Sequence, residues 1–305
     1  MSYELVGITV LWTFLFGYLI VASVDFGAGF FSYYSVITGH ENKIHDIIQR
    51  YLSPVWEVTN VFLIFFVVGL VGFFPDSAYY YGTALLVPGS LVTVLLALRG
   101  AYYAYNTYGS SKANNKTYMG IYGATGLLIP AALSTILAIS EGGIIGESEG
   151  KVILDWTAFF GNPYTWSVIL LALVSVLYIS AMFLAFYADK AGDRRAFEVL
   201  RGYALLWSGP TILACVFAFF QINRQNPEHY AHMLEVAWMF IASLACFLGA
   251  VALVWKNDGW AGRSCWSCCS SHLPGTDMAA ATFLIFSISR SASMKASRTR
   301  RWPSP

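Results

Sequence analysis

The chain has 305 residues, 57% hydrophobic and 11% charged, with a mean hydropathy of +0.58. Soluble globular chains carry about 45–50% apolar and about 25% charged residues, so this composition excludes a soluble domain and marks an integral membrane protein. A net charge of +1 offers no basic surface for nucleic acid, and five Cys without a paired CxxC…CxxC framework give neither a disulfide scaffold nor a zinc site.

A hydrocarbon core about 30 Å thick needs about 20 apolar residues as a helix. Seven runs reach that length, at about 5–36, 54–74, 78–103, 118–140, 164–188, 203–222 and 233–255. They are too long for barrel strands, and backbone groups in lipid must pair within the element, so the fold expected is an all-α polytopic bundle. The opening Met1-Ser2-Tyr3-Glu4 lacks the basic region of a signal peptide, so the first run is expected to remain as a span. Ser53 and Pro54 have the chemistry of a cap and a first-turn residue, which sets the start of span two. Pro88 and Pro130 are candidates for kinks in spans three and four. The connection from Glu141 to Pro163 is acidic, and its Asp155-Trp156 and Phe159-Phe160 suit the membrane interface, where aromatics settle.

Loops after spans one, three and five carry eight Lys or Arg (Lys43, Arg50, Lys112, Lys116, Lys190, Arg194, Arg195, Arg201). Those after spans two, four and six carry two, Lys151 and Arg224. The positive-inside rule then puts the N-terminus outside and the first loop in the cytoplasm of a multi-pass membrane protein.

Residues 1–260 form the expected transmembrane bundle, and 261–305 are a different kind of sequence. That tail holds ten Ser, three of the five Cys, six Lys or Arg and one acid, Asp277. Two readings stay open, a disordered basic tail and a reading-frame shift near Gly262. The apolar run Ala279–Ser289 has 11 residues and cannot span, so a shift would also account for a missing or scrambled eighth span.

Ionisable groups at membrane depth are costly and usually functional. Asp25, Glu57 and Arg99 are the three that stand out, all toward the cytoplasmic half in the orientation above. Each has a plainer reading. Glu57 could complement the helix dipole behind Ser53-Pro54, and Arg99 could snorkel to headgroups. Asp25 could be a structural carboxylate bonded to a neighbouring helix, with Gly27 and Gly29 beside it for close packing. The functional alternative is a proton route from the first loop through Glu57 or Asn60 to Asp25. The five His (40, 45, 229, 232, 272) all lie in loops, at span ends or in the tail, so none is a mid-span haem ligand. His229-x-x-His232 lacks an evident third metal ligand. No Lys lies within 233–255, which argues against a retinal pump.

The first span closing on Asp25-Phe26-Gly27-Ala28-Gly29, followed by Ser53-Pro54-Val55-Trp56-Glu57-x-x-Asn60-x-Phe62-Leu63, resembles subunit II of the cytochrome bd quinol oxidases. Arg99 near the end of span three fits the same pattern, and the resemblance runs from about residue 5 to 260. The chain departs from it in having Ala22 where a second Asp is usual, Glu57 where many members have Asp, and no eighth span.

The resemblance implies two four-helix bundles paired with a subunit I that carries haems b and d and the quinol site. It further implies a small single-span subunit in some complexes. This chain would bind no cofactor or metal and hold no catalytic residue. It would support the haem subunit and line a cytoplasmic proton path through Asp25, Glu57 and Asn60, with Trp56 and Arg99 structural at the inner side. The reaction implied is oxidation of membrane quinol with reduction of dioxygen to water. The alternative from another class is a proton- or cation-coupled secondary transporter using Asp25, Glu57 and Arg99 as its coupling site. Against it, spans one to four and five to seven show no clear inverted symmetry. A purely structural membrane partner is the third reading.

Overall fold

The computed structural model describes residues 3–39, 41–108, 116–141, 145–148, 151–235 and 237–256. Ten helices and one hairpin follow in order among these residues: α1 (Tyr3–Ile37), α2 (Glu41–Phe73), α3 (Pro75–Ala84), α4 (Leu86–Tyr108), α5 (Lys116–Glu141), β1 (Ile145–Ser148), β2 (Lys151–Leu154), α6 (Trp156–Gly161), α7 (Pro163–Lys190), α8 (Arg194–Gln225), α9 (Pro227–Glu235) and α10 (Ala237–Lys256).

Among the described residues, five helical stretches are long and apolar enough to cross a membrane: Val6–Ile37, Leu86–Tyr105, Met119–Ser140, Pro163–Lys190 and Arg194–Gln225. A sixth results if Val58–Phe73 and Pro75–Ala84, bent by 118° at Phe74, count as one broken span. Phe240–Trp255 is a shorter apolar helix.

Two boundaries differ from the sequence reading. Helix α2 begins at Glu41, not at Pro54, so the expected first loop is helical. The reason is an apolar stripe: Ile44, Ile47 and Ile48, at i, i+3 and i+4, are buried against Ala181, Leu184 and Leu200 of α7 and α8. Span three, expected over 78–103, is divided between α3 and α4 around Leu85. Pro88 accounts for this, because its ring lacks an N–H and crowds the carbonyl four residues back, that of Ala84. Pro75 likewise occupies the first turn of α3, where a missing N–H costs nothing. The seventh run falls on the end of α9 and on α10, with Val236 outside the described residues. Pro130 and Pro210, by contrast, lie inside α5 and α8, which remain continuous helices.

The connection after α5 is not wholly irregular. β1 and β2 pair antiparallel, with Ile145 opposite Leu154 and Ser148 opposite Lys151. Asp155 then caps α6 by accepting from the Thr157 and Ala158 amides at 3.0 and 3.1 Å.

Helix α1 is central, packing against α2, α5 and α7, while α7 pairs with α8. Glycines permit the closest of these approaches. A Cβ on Gly123 would lie 2.7 Å from Tyr33 Cβ, and one on Gly126 would overlap the Phe26 carbonyl oxygen, so α5 lies directly on α1. The Gly120–Gly126 stretch thus packs within this subunit. On the other side of α1, Gly27 faces Ser180 of α7, whose hydroxyl donates to the Val24 carbonyl at 2.9 Å. Helix α10 is tied down by Arg201 of α8, which donates from Nε to the Val254 carbonyl and from Nη2 to the Trp255 carbonyl, both at 2.7 Å. Those are the last-turn acceptors that a helix leaves unpaired. The tail from residue 261, like His40 and His272, lies outside the described residues.

Candidate functional site

The site starts from one requirement. A carboxylate and a guanidinium placed in apolar helices must find each other or remain unpaired at high cost. Asp25 on α1 and Arg99 on α4 do so: Arg99 Nε donates to Asp25 Oδ2 at 3.0 Å, with side-chain exposures of 1% for Arg99 and 2% for Asp25. Arg99 Nη2 donates to the Asp25 backbone carbonyl at 2.6 Å, and Nη1 donates to the Tyr122 carbonyl of α5 at 3.1 Å. The Tyr122 hydroxyl completes the ring of contacts by donating to Asp25 Oδ1 at 3.1 Å. One carboxylate and one guanidinium thereby bind three helices together.

Aromatic faces close the cluster. The guanidinium carbon lies 3.9 Å from the Tyr122 ring centroid and 5.3 Å from that of Phe26. Tyr102 of α4 stacks on Tyr122 with centroids 4.6 Å apart. Gly29 makes room for all of this, since a Cβ there would stand 3.0 Å from both Arg99 Nη1 and Tyr122 Cε1.

The snorkelling reading of Arg99 therefore fails. Its side chain is enclosed by the subunit because a buried anion and two carbonyls hold it there, not headgroups. The other expected site residues are placed less fully. Trp56 and Glu57 stand on α2, and their side chains lie outside the described residues. Asn60, one turn on, is half-buried and engaged with another group. Ser53 and Pro54 fall inside α2, so they do not begin a helix before Glu57. The side chains of His229 and His232 are likewise outside the described residues. Among those described, no group of three or more His, Cys, Asp or Glu could hold a metal ion.

Tyr122 and Tyr102 complete the cluster and are not singled out by the sequence, whereas Gly29 is, as a residue for close packing beside Asp25. The available signal was the pattern of Gly120, Gly123 and Gly126 around Tyr122, which brings that tyrosine against α1. Outside the spans, the Thr157 hydroxyl, followed by the Ala158 and Thr157 amides, holds the Asp155 carboxyl below its ordinary range.

The sequence matches the family described as cytochrome bd terminal oxidase subunit II over residues 3–296. The chain belongs to this family. Over 259 residues it is 34% identical to a Bacillus subtilis (strain 168) protein named putative cytochrome bd menaquinol oxidase subunit II, covering 84% of this chain and 73% of that protein. It is similar to a chain in the structure of bd oxidase from Geobacillus thermodenitrificans, with 50% identity and a TM-score of 0.74, covering 96% of this chain and 84% of that one. This is a subunit of a membrane quinol oxidase, an oxidoreductase complex containing haem. The transporter reading is not favoured by any of these likenesses.

Proposed function

We propose that this chain is the haem-free second subunit of a quinol oxidase that oxidises membrane quinol and reduces dioxygen to water. Menaquinol is the substrate suggested by the name of the Bacillus relative. The proposed partner is a subunit I bearing haems b and d, with a small single-span subunit as a further member. The haems supply the oxygen chemistry. This chain's spanning helices α1, α4, α5, α7 and α8 contain no His, so their donor set does not fit a His-ligated haem. The exposed apolar faces of α2 (Val61, Ile64, Phe65, Val68) and α8 (Leu206, Leu213, Phe220) are surfaces for the partner and for lipid.

In the membrane we propose seven spans in two bundles, with the N-terminus outside. The Ser/Arg-rich segment 261–305 is proposed to be a separate tail, either disordered or frame-shifted; intact mass and the gene sequence distinguish the two.

The observation that carries the functional reading is the buried Asp25–Arg99–Tyr122 cluster. Proton delivery requires polar groups at depth, and Asp25 and Arg99 are the buried charged side chains among the described residues. The route proposed runs from the cytoplasmic end of α2 past Glu57 and Asn60 to Asp25. Arg99 and Tyr122 hold both carboxylate oxygens and so fix Asp25 in position at the end of that route.

Purification in mild detergent tests the assignment. Haem absorbance and quinol oxidase activity should co-elute with this chain when the partner is co-expressed, and no Soret band should appear when it is not. A colourless homogeneous species from native membranes would return the transporter reading.

A further inference from the structure

Tyr18 precedes Asp25 by seven residues on α1, so the two share one helix face about 10 Å apart along the axis. Its side chain is 2% exposed, enclosed by Ala22, Phe26, Val92, Leu95, Ile129 and Ala132. All of these are apolar, and the Tyr18 hydroxyl has no hydrogen-bond partner among the described residues. Leu95 stands one turn before Arg99 on α4, and the ring centroid of Phe26, next to Asp25, lies 5.3 Å from the guanidinium carbon, so the enclosure of Tyr18 reaches the ion pair.

Arg99 supplies the second observation. A guanidinium has five N–H donors, and the bonds to Asp25 Oδ2, the Asp25 carbonyl and the Tyr122 carbonyl use three. A buried hydroxyl and buried guanidinium N–H groups are costly to leave without partners. Water can accept from a guanidinium N–H and still bond a phenol, and buried polar groups that lack a protein partner are commonly satisfied in this way. A side chain from another subunit is a poor candidate for the same place, because the chain already encloses both groups.

We infer that an ordered internal water is bound between the Tyr18 hydroxyl and the guanidinium of Arg99. It accepts an N–H from Arg99 and bonds the phenol oxygen of Tyr18, directly or through a second water. The Asp25–Arg99–Tyr122 cluster is then longer than its direct bonds indicate. From Tyr102 and Tyr122 it continues past the ion pair and along α1 to Tyr18. The inference does not rest on the proposed proton route, since a hydrated ion pair would be present in a purely structural cluster as well.

A structure of the assembled oxidase at a resolution that reveals ordered water tests this. Density should lie within hydrogen-bond distance of Tyr18 Oη and of a second ordered water or an Arg99 Nη. In Tyr18→Phe that density should be lost while the Asp25–Arg99–Tyr122 bonds stay in place. Infrared difference spectra in H2-18O should show an isotope-sensitive buried-water band that Tyr18→Phe removes. A wild-type map in which Tyr18 Oη bonds a protein, lipid or quinone group directly, or has no density within bonding distance, overturns the inference. The wild-type map decides by itself, so the test survives a Tyr18→Phe chain that fails to assemble.

Discussion

Arg99 binds Asp25 twice, from Nε to the carboxylate at 3.0 Å and from Nη2 to the backbone carbonyl at 2.6 Å, although 74 residues separate them. The second bond engages a main-chain oxygen of α1, so the pair fixes the position of α4 against the helix as well as against the side chain. Each charge is enclosed and depends on the other.

This gives a stability prediction. Removing one member of a buried pair leaves the other uncompensated and typically costs about 3–5 kcal/mol, whereas replacing both by packed apolar groups is often near neutral. Arg99→Met should therefore lower the thermal midpoint or yield of the assembled complex strongly. Asp25→Leu/Arg99→Met should recover much of the loss. Thermal denaturation of the detergent-solubilised complex measures both, and additive losses in the double variant would show that the pair is not coupled.

Tyr122→Phe isolates the hydroxyl. The ring remains to stack on Tyr102 and to cover the guanidinium, while the bond to Asp25 Oδ1 is lost. Hydrogen bonds to charged groups contribute about 1.5–3 kcal/mol, so a clear fall in the thermal midpoint is expected with the haem spectrum unchanged. A midpoint equal to wild type would mean the hydroxyl contributes nothing to holding the carboxylate.

The α1–α5 contact makes a third prediction. A side chain at Gly126 meets the Phe26 carbonyl, a main-chain atom that cannot turn aside, so Gly126→Val should force the helices apart. Overpacking of this kind costs about 1–3 kcal/mol or more. Gly202→Ala on α8, with nothing within 4 Å of its would-be Cβ, is the control and should be tolerated. Assembly yield in membranes separates the two.

Much of this site was legible in the sequence, and the rest was hidden for identifiable reasons. Asp25 and Arg99 stood out because ionisable residues are rare in apolar runs. Their pairing was not readable, because nothing local relates residue 25 to residue 99. Tyr122 was obscured by number: it is one of 19 tyrosines, and its hydroxyl acquires meaning only once Gly123 and Gly126 bring it to α1. The start of α2 is masked in the sequence because Ser53-Pro54 imitates a helix beginning, although Ile44, Ile47 and Ile48 carry helical spacing before it. The break at Leu85 shows the reverse case: Pro88 marks it in the sequence, while hydropathy runs unbroken across it.

Asp155 supplies a pH prediction outside the membrane. Its carboxyl is held below its ordinary range by the Thr157 hydroxyl and the first amides of α6. A depressed carboxylate stabilises above the unfolded value of about 3.9, and the contribution is lost as pH falls through the lowered folded value. The α6 cap should therefore persist from neutral pH down through the ordinary aspartate range and release below it. Amide exchange at Thr157 and Ala158 reads this directly. Asp155→Ala should show fast exchange at every pH, and a wild-type cap that opens near neutrality would contradict the geometry.

The central claim, that the buried cluster takes part in proton delivery, is tested most directly by turnover and proton uptake in a charge-balanced variant. Asp25→Asn alone leaves Arg99 unpaired, so Asp25→Asn/Arg99→Gln is the informative chain, keeping similar shapes with no net charge at the site. The account predicts that this complex assembles with a normal haem spectrum but turns over slowly, with proton uptake slowed in parallel. Wild-type turnover and wild-type proton uptake in the fully assembled double variant would show that the cluster only holds α1, α4 and α5 together.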